Sequence, residues 1–259
     1  MGFATADEAG QPSTPATETP TYAPPKAWSY SAWNFYDGCP YKYLLKNILK
    51  VPDPGTPEMA EGDRIHKLGE AYIKGQLDEV PVEFALHRAR MEQMRADHWV
   101  AEQSWAFTKT WEQCEYFGRE VWVRMKIDTH VITTTPTEKV LSIVDYKTGK
   151  FSENGNEAQM ELYALAGFKK YAFVDRVETI LLFTKNEKLI VQAYGKWQID
   201  VLVENWNHRV SKMMADTKFE PKPSNLCAWC YYNNSTVVNV GPRREGRTAT
   251  KPAGPCKFK

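Results

Sequence analysis

Cysteine is scarce in this 259-residue chain. The five present are an odd number and too sparse for a disulfide scaffold, so a reducing, cytoplasmic setting is expected. No stretch approaches the roughly 18 uninterrupted apolar residues of a membrane span, and the first residues lack a signal peptide's basic-then-apolar order. Net charge is nearly absent too. With 33 Lys and Arg against 32 Asp and Glu, the formal +1 offers no general attraction for nucleic acid, so any case for it must rest on particular residues. There is no internal repeat. No GxxxxGK[ST] phosphate loop occurs, so the chain does not read as a helicase in itself. What is there is ordinary globular composition, 42% hydrophobic and 25% charged, long enough for one large domain or two small ones with a sizeable core.

The ends differ from the middle. Residues 1–25, containing TPATETPTYAPP, have no apolar period and read as a disordered, linker-like leader. Residues 241–259 carry Arg243, Arg244, Arg247, Lys251, Lys257 and Lys259 against Glu245. That tail is either a solvated basic end or a phosphate-attracting arm. Residues 26–240 are left as a single domain.

Within it, Ser31 is a candidate cap for a short helix through Tyr36, broken at Cys39-Pro40 before an apolar turn at Leu44, Leu45 and Ile48. Glu58 to Lys74 and Val82 to Ala96 read as helices. The period then changes: Val100 to Phe107, Glu120 to Ile132 and Lys139 to Tyr146 are rich in β-branched and aromatic residues, with Val121, Val123, Met125 and Ile127 alternating. Asn156 to Tyr171 reads as helix, Glu178 to Thr184 and Leu189 to Tyr194 as strands, and Trp197 to Met214 as a last helix. This succession predicts a mixed α/β arrangement around one sheet.

The chemistry gathers where strands meet loops. Asp128 lies in RMKIDTH, placed towards the end of the second strand, and Asp145 and Lys147 lie in IVDYKTGK. Alternation puts Asp145 and Lys147 on one face of their strand with Tyr146 pointing away. Two carboxylates and an ammonium converging there suit a hard divalent cation, a phosphate and a water. An Asp before a Lys-Thr-Gly turn is also an ordinary way to leave a strand. Gly62 and His66, four apart on a predicted helix, share a face: the glycine admits another backbone, and the imidazole is either a metal ligand or a hydrogen-bonded structural group. Gln159 and Tyr163 are likewise four apart, either a surface amide and a core ring or a pair able to hydrogen-bond a phosphate or base. The aromatics Trp28, Tyr30, Trp33, Phe35 and Tyr36 could stack single-stranded bases, but core is the better reading for most of them.

The succession SYSAWNFYDGCPYKYLL, GDRIH, VAEQSWAF, RMKID, IVDYKTGK and QMELYAL resembles the RecB-type branch of the PD-(D/E)XK nucleases, which includes phage exonucleases and the CRISPR adaptation nuclease. The resemblance runs from about Ser29 to Tyr163 and on towards Cys256. It implies a restriction-endonuclease-like α/β core, a central mixed sheet flanked by helices, plus a helical N-terminal segment. It also implies His66, Asp128, Asp145 and the Tyr146 carbonyl as ligands to Mg²⁺ or Mn²⁺, and Lys147 as the catalytic lysine. Gln159 and Tyr163 become the Q-x-x-x-Y pair, expected to contact DNA. Glu102 matches a position often acidic in related sequences and receives a supporting catalytic role, although a solvent-facing strand glutamate explains it equally well. Asp128 follows Ile127 and not proline, as is common in this branch. The implied function is a metal-dependent exonuclease on single- or double-stranded DNA ends in phage or bacterial recombination, repair or degradation. The alternatives are an endonuclease of the same core and an inactive DNA-binding or assembly module. A separate helicase or recombinase is an expected partner.

A subset of this family closes a [4Fe–4S] cluster with one early and three late cysteines. Cys39 and the CAWC pair Cys227 and Cys230 resemble it, with Cys256 as fourth ligand after an unusually long insertion. Zinc, a degraded remnant and simple packing are the other readings. Cys114 is left over as a buried or half-buried thiol.

Overall fold

A computed structural model of the protein describes residues 21–53 and 55–233. The tail and Cys256 lie outside the described residues, as does most of the leader. Of that leader, the Tyr22 amide donates to the Thr217 carbonyl at 2.8 Å, and its ring meets Phe219 edge-on.

The opening helices are set by caps and prolines. Helix α1 spans Tyr30–Gly38 and is capped by Ser29, whose hydroxyl accepts from the Ala32 amide; Ser31, expected as the cap, is the second helical residue. Cys39 is extended, and Pro40 opens the short α2, Pro40–Tyr43, which runs into a π-helical turn over Leu44–Ile48. Thr56 caps α3, Pro57–Ile73, with proline at its first position. The predicted helix from Val82 divides into a 3₁₀ segment, Val82–His87, and α4, Arg88–Ala96.

Five strands follow, β1 Val100–Phe107, β2 Val123–Thr134, β3 Lys139–Lys147, β4 Arg176–Phe183 and β5 Leu189–Gly195, ordered β1-β2-β3-β4-β5. Only β3 and β4 are parallel, joined by the crossover helix α5, Glu157–Lys170. Helix α6, Ile199–Ala215, closes the domain. Among the described residues no helix is long and apolar enough to cross a membrane.

Each face of this mixed sheet is covered by helices. On one, α5 and α6 enclose the larger core, where Trp28 stacks on Trp206 at 5.3 Å and Trp33 meets it edge-on at 5.2 Å. These opening aromatics are therefore core. On the other face α3, the 3₁₀ segment and α4 pack Ile65, Tyr72, Phe84 and Met91 against Val144 and Tyr146. Gly69 makes this approach feasible: a Cβ there would lie 2.7 Å from the Tyr146 ring and 2.9 Å from that of Phe84.

Two irregularities in β2 position the site. The β1–β2 ladder skips the Glu102/Asp128 pair, and Glu102 takes a positive φ of 32°. The alternation changes face there. Ile127 packs in the α5 core, yet His130, three residues on, meets Trp105 of that same core. In addition, β3 pairs with β2 only from Thr129↔Val144 to Thr134↔Lys139, while Asp145, Tyr146 and Lys147 remain paired to β4. The sheet thus forks at Asp128 and Asp145. On the edge of β2 that β3 leaves, Trp28 forms a parallel bridge to Val123.

Candidate active site

The fork gathers most of the charged residues singled out from sequence. Asp128 is the sixth of twelve residues in β2, mid-strand and not near its end, because the strand continues to Thr134. Its Oδ2 accepts the Tyr146 amide at 2.8 Å, replacing the ladder bond lost at the fork. The same oxygen lies 3.0 Å from His66 Nδ1, brought in by α3. Gly62, one turn earlier, faces the Thr148 side chain and not a backbone: a Cβ there would lie 3.1 Å from its hydroxyl.

Asp145 is held from α5. Its Oδ1 accepts the Tyr163 hydroxyl at 2.7 Å and Gln159 Nε2 at 3.1 Å. Gln159 also accepts Lys147 Nζ at 2.5 Å. Gln159 and Tyr163, expected to meet DNA, are buried on the inward face of α5 and turned onto Asp145 and Lys147. Lys147 Nζ also forms an ion pair with Asp145 Oδ2 at 2.9 Å, and that buried oxygen meets no other polar group.

The electrostatics follow from this packing. Burial would depress the His66 imidazole, but the bond to Asp128 and the charges of Asp128 and Asp145 outweigh burial and the opposing Lys147, leaving its pKa raised. Asp128 is raised as well, chiefly by burial and by the neighbouring charge of Asp145, against the stabilising His66 and Tyr146 amide. Tyr163 is pushed well above the ordinary phenol value by burial and then by Asp145 and Asp128, which keeps its hydroxyl a donor. Tyr30, read from sequence only as an aromatic, is raised by burial and next by Asp145, which places its phenol within electrostatic range of the site.

Two carboxylates and a lysine, Asp128 with Asp145 and Lys147 in D-x-K spacing, are the residues that give one nuclease family its name. The model of the PD-(D/E)XK nuclease superfamily matches residues 27–235. The chain belongs to that superfamily. Its mixed five-strand sheet flanked by helices is the restriction-endonuclease-like fold of these nucleases. Among solved structures, a candidate exonuclease from Eubacterium rectale is similar at 16% identity, with 80% of this chain and 88% of that one covered and a TM-score of 0.46. The protein SSO0001 is similar at 8% identity, with 74% and 79% covered and a TM-score of 0.39. No curated protein matches the chain.

Nucleases of this superfamily typically use a divalent metal such as Mg²⁺. Among the described residues no three His, Cys, Asp or Glu side chains already form a metal cage. The donors nevertheless fit a hard cation: Asp145 Oδ2 is a buried carboxylate oxygen that meets only the Lys147 ammonium, and Asp128 comes from the opposite arm of the fork with His66 of α3 beside it. Glu102 is not part of this cluster. It is exposed and pairs with Lys126 at 2.9 Å, the strand-surface alternative to a supporting catalytic role.

The cysteines meet elsewhere. Cys39, Cys227 and Cys230 line one cavity of about 280 Å³, formed where α1 ends and the 3₁₀ turn Asn225–Trp229 crosses it. All three are free thiols, and Cys227 Sγ accepts the Ser224 amide at 3.3 Å. No cluster site is formed among the described residues, and the fourth expected ligand, Cys256, lies outside them. Cys114 is half-buried, and burial pushes its thiol up.

Proposed function

We propose that the chain is a metal-dependent deoxyribonuclease hydrolysing phosphodiester bonds at DNA ends, an exonuclease of phage or bacterial recombination, repair or degradation. The observation that carries this reading is the buried Asp145 carboxylate ion-paired with Lys147, across the fork from Asp128 and its partner His66. His66, Asp128, Asp145 and the Tyr146 carbonyl would hold Mg²⁺ or Mn²⁺, with the imidazole favouring Mn²⁺. Such an ion, when bound, acidifies water and polarises a phosphoryl oxygen. Lys147 offsets charge developing on the phosphoryl oxygens and positions the attacking water. Gln159 and Tyr163 fix the directions of Lys147 and Asp145. Action at ends, and cooperation with a separate helicase or recombinase, rest on the RecB-type resemblance.

Purified protein incubated with end-labelled linear single- and double-stranded DNA and with covalently closed circles, in Mg²⁺, Mn²⁺ or EDTA, tests the reading. Metal-dependent loss of linear DNA with circles spared is expected. Cut circles would make it an endonuclease of the same core. DNA binding without cleavage in any metal would leave a binding or assembly module.

The cysteine cavity supports a separate proposal, a thiolate-bound [4Fe–4S] cluster joining the chain's start to its end. Anaerobically purified protein should then be brown and contain about four irons per chain. Stoichiometric zinc would replace the cluster with a zinc staple. Neither metal, with unchanged melting for Cys227→Ser, would leave packing as the explanation.

A further inference from the structure

A second polar cavity of about 420 Å³ lies between the opening segment, the turn after α2 and the start of β2. Lys26, Lys50 and Arg124 line it, and its walls include no carboxylate. Two other wall residues carry buried nitrogens with no partner, Trp28 Nε1 and Asn47 Nδ2. Three cations with no carboxylate among the lining residues make the cavity complementary to an anion. At the rim, Arg124 Nε donates to the Tyr116 carbonyl at 2.6 Å, and its guanidinium lies 5.8 Å from the Tyr116 and Phe117 ring centroids. Phe117 packs edge-on against Tyr116 and is 88% exposed. An exposed ring beside a guanidinium is what an unpaired base stacks on.

The cavity adjoins the fork. The Arg124 amide donates to Trp28 on the β2 edge that β3 leaves, and Asp128 lies four residues along that strand, roughly 13 Å away and a few nucleotides' span.

We infer that this cavity and Phe117 form a second nucleic-acid contact, in which a phosphodiester of a single-stranded DNA segment sits among Lys26, Lys50 and Arg124 and an adjacent base stacks on Phe117. The inference rests on the nuclease reading, since it supplies the hold on a strand whose scissile phosphate lies at Asp145. It is tested first without catalysis, by binding of fluorescent single-stranded DNA of about 15 nucleotides in EDTA at several salt concentrations. The variants are Lys26→Gln, Lys50→Asn, which suits the φ of 54° at that position, Phe117→Ala and all three combined. The combined variant should bind at least about tenfold more weakly, and the two lysine changes should lower the salt slope by about 1.4. Phe117→Ala alone should weaken binding about fivefold or more with the slope unchanged. In metal, the combined variant should raise KM and leave kcat near the parent's value. Parent-like affinity and slope in a normally melting combined variant would overturn the inference and leave the nuclease reading intact. Should that variant melt early, the single variants, each at an exposed side chain, decide in its place. A parent that binds the strand yet cleaves nothing would overturn the nuclease reading, while the same comparison in EDTA still decides the contact. A parent that does not bind the strand overturns the inference.

Discussion

Upstream of Thr129, β2 stands apart from β3 and carries Arg124, Lys126 and Asp128; from Thr129 to Thr134 it is zipped to β3 and carries His130 between aromatic rings. The histidines associated with these halves titrate in opposite directions. His66, at the fork, is raised because Asp128 and Asp145 outweigh burial. His130, in the zipped half, is pushed down to about 4 by burial and by Lys170, its Nε2 meeting only the Tyr171 hydroxyl at 2.9 Å while Nδ1 is unpaired. The fork thus favours a charged imidazole beside its carboxylates, and the intact ladder, with no carboxylate near, suppresses one.

The largest effect that would test this contrast is loss of the fork's charges. Asp145→Ala and Lys147→Ala should each reduce cleavage by at least about a hundredfold. Asp145→Ala removes a negative charge from the phosphate path, so DNA affinity should hold or rise; Lys147→Ala removes a positive one, so it should hold or fall modestly. Cleavage rate, affinity and melting are measured together, and parent-like cleavage in either folded variant would mean the site is misassigned. Next, His66→Ala should weaken metal binding and leave partial activity restored by excess Mn²⁺, since both carboxylates remain; a metal titration of cleavage reads this out. Tyr163→Phe deletes a donor to the buried Asp145 Oδ1, so apo stability should fall by about 1.5–3 kcal/mol, measured by denaturant unfolding.

The smallest effect belongs to the zipped half. Because the folded pKa of His130 lies below its unfolded value of 6.5, the unfolded chain binds the proton first as pH falls. Stability should decline from about pH 6.5 to about pH 4, by about 3 kcal/mol from this group. His130→Phe should flatten that acid limb in unfolding curves taken across the window. An unchanged limb would mean that His130 gains a proton without cost and that the contrast between the halves fails.

Much of this was legible in sequence because it depends on period. The two-residue spacing of Asp145 and Lys147 put them on one face, the helix–strand order pointed to a mixed α/β arrangement around one sheet, and Cys39 with Cys227 and Cys230 do line one cavity. The fork was not legible. Val123, Met125 and Ile127 alternate without interruption, and the residue that takes the positive φ is a glutamate, so no glycine marks the change of face. The inward turn of Gln159 and Tyr163 was equally hidden, since four-residue spacing defines a shared helix face and not what that face meets. Ser29 and Ser31 are chemically equal caps; the structure starts the helix at Tyr30, after the Trp28 bridge to β2.

Tyr146 lies between the two residues of the D-x-K pair and on the opposite side of the sheet, filling the gap left by Gly69. It works as a key in a slot: with its ring wedged under α3 and Phe84, β3 cannot roll about its own axis without a collision. The aim of Asp145 and Lys147 is therefore set from both sides of the sheet, by the α5 hydrogen bonds and by this wedge. A methyl group added at Gly69 would act as a torque on the strand, turning both side chains off target without touching either.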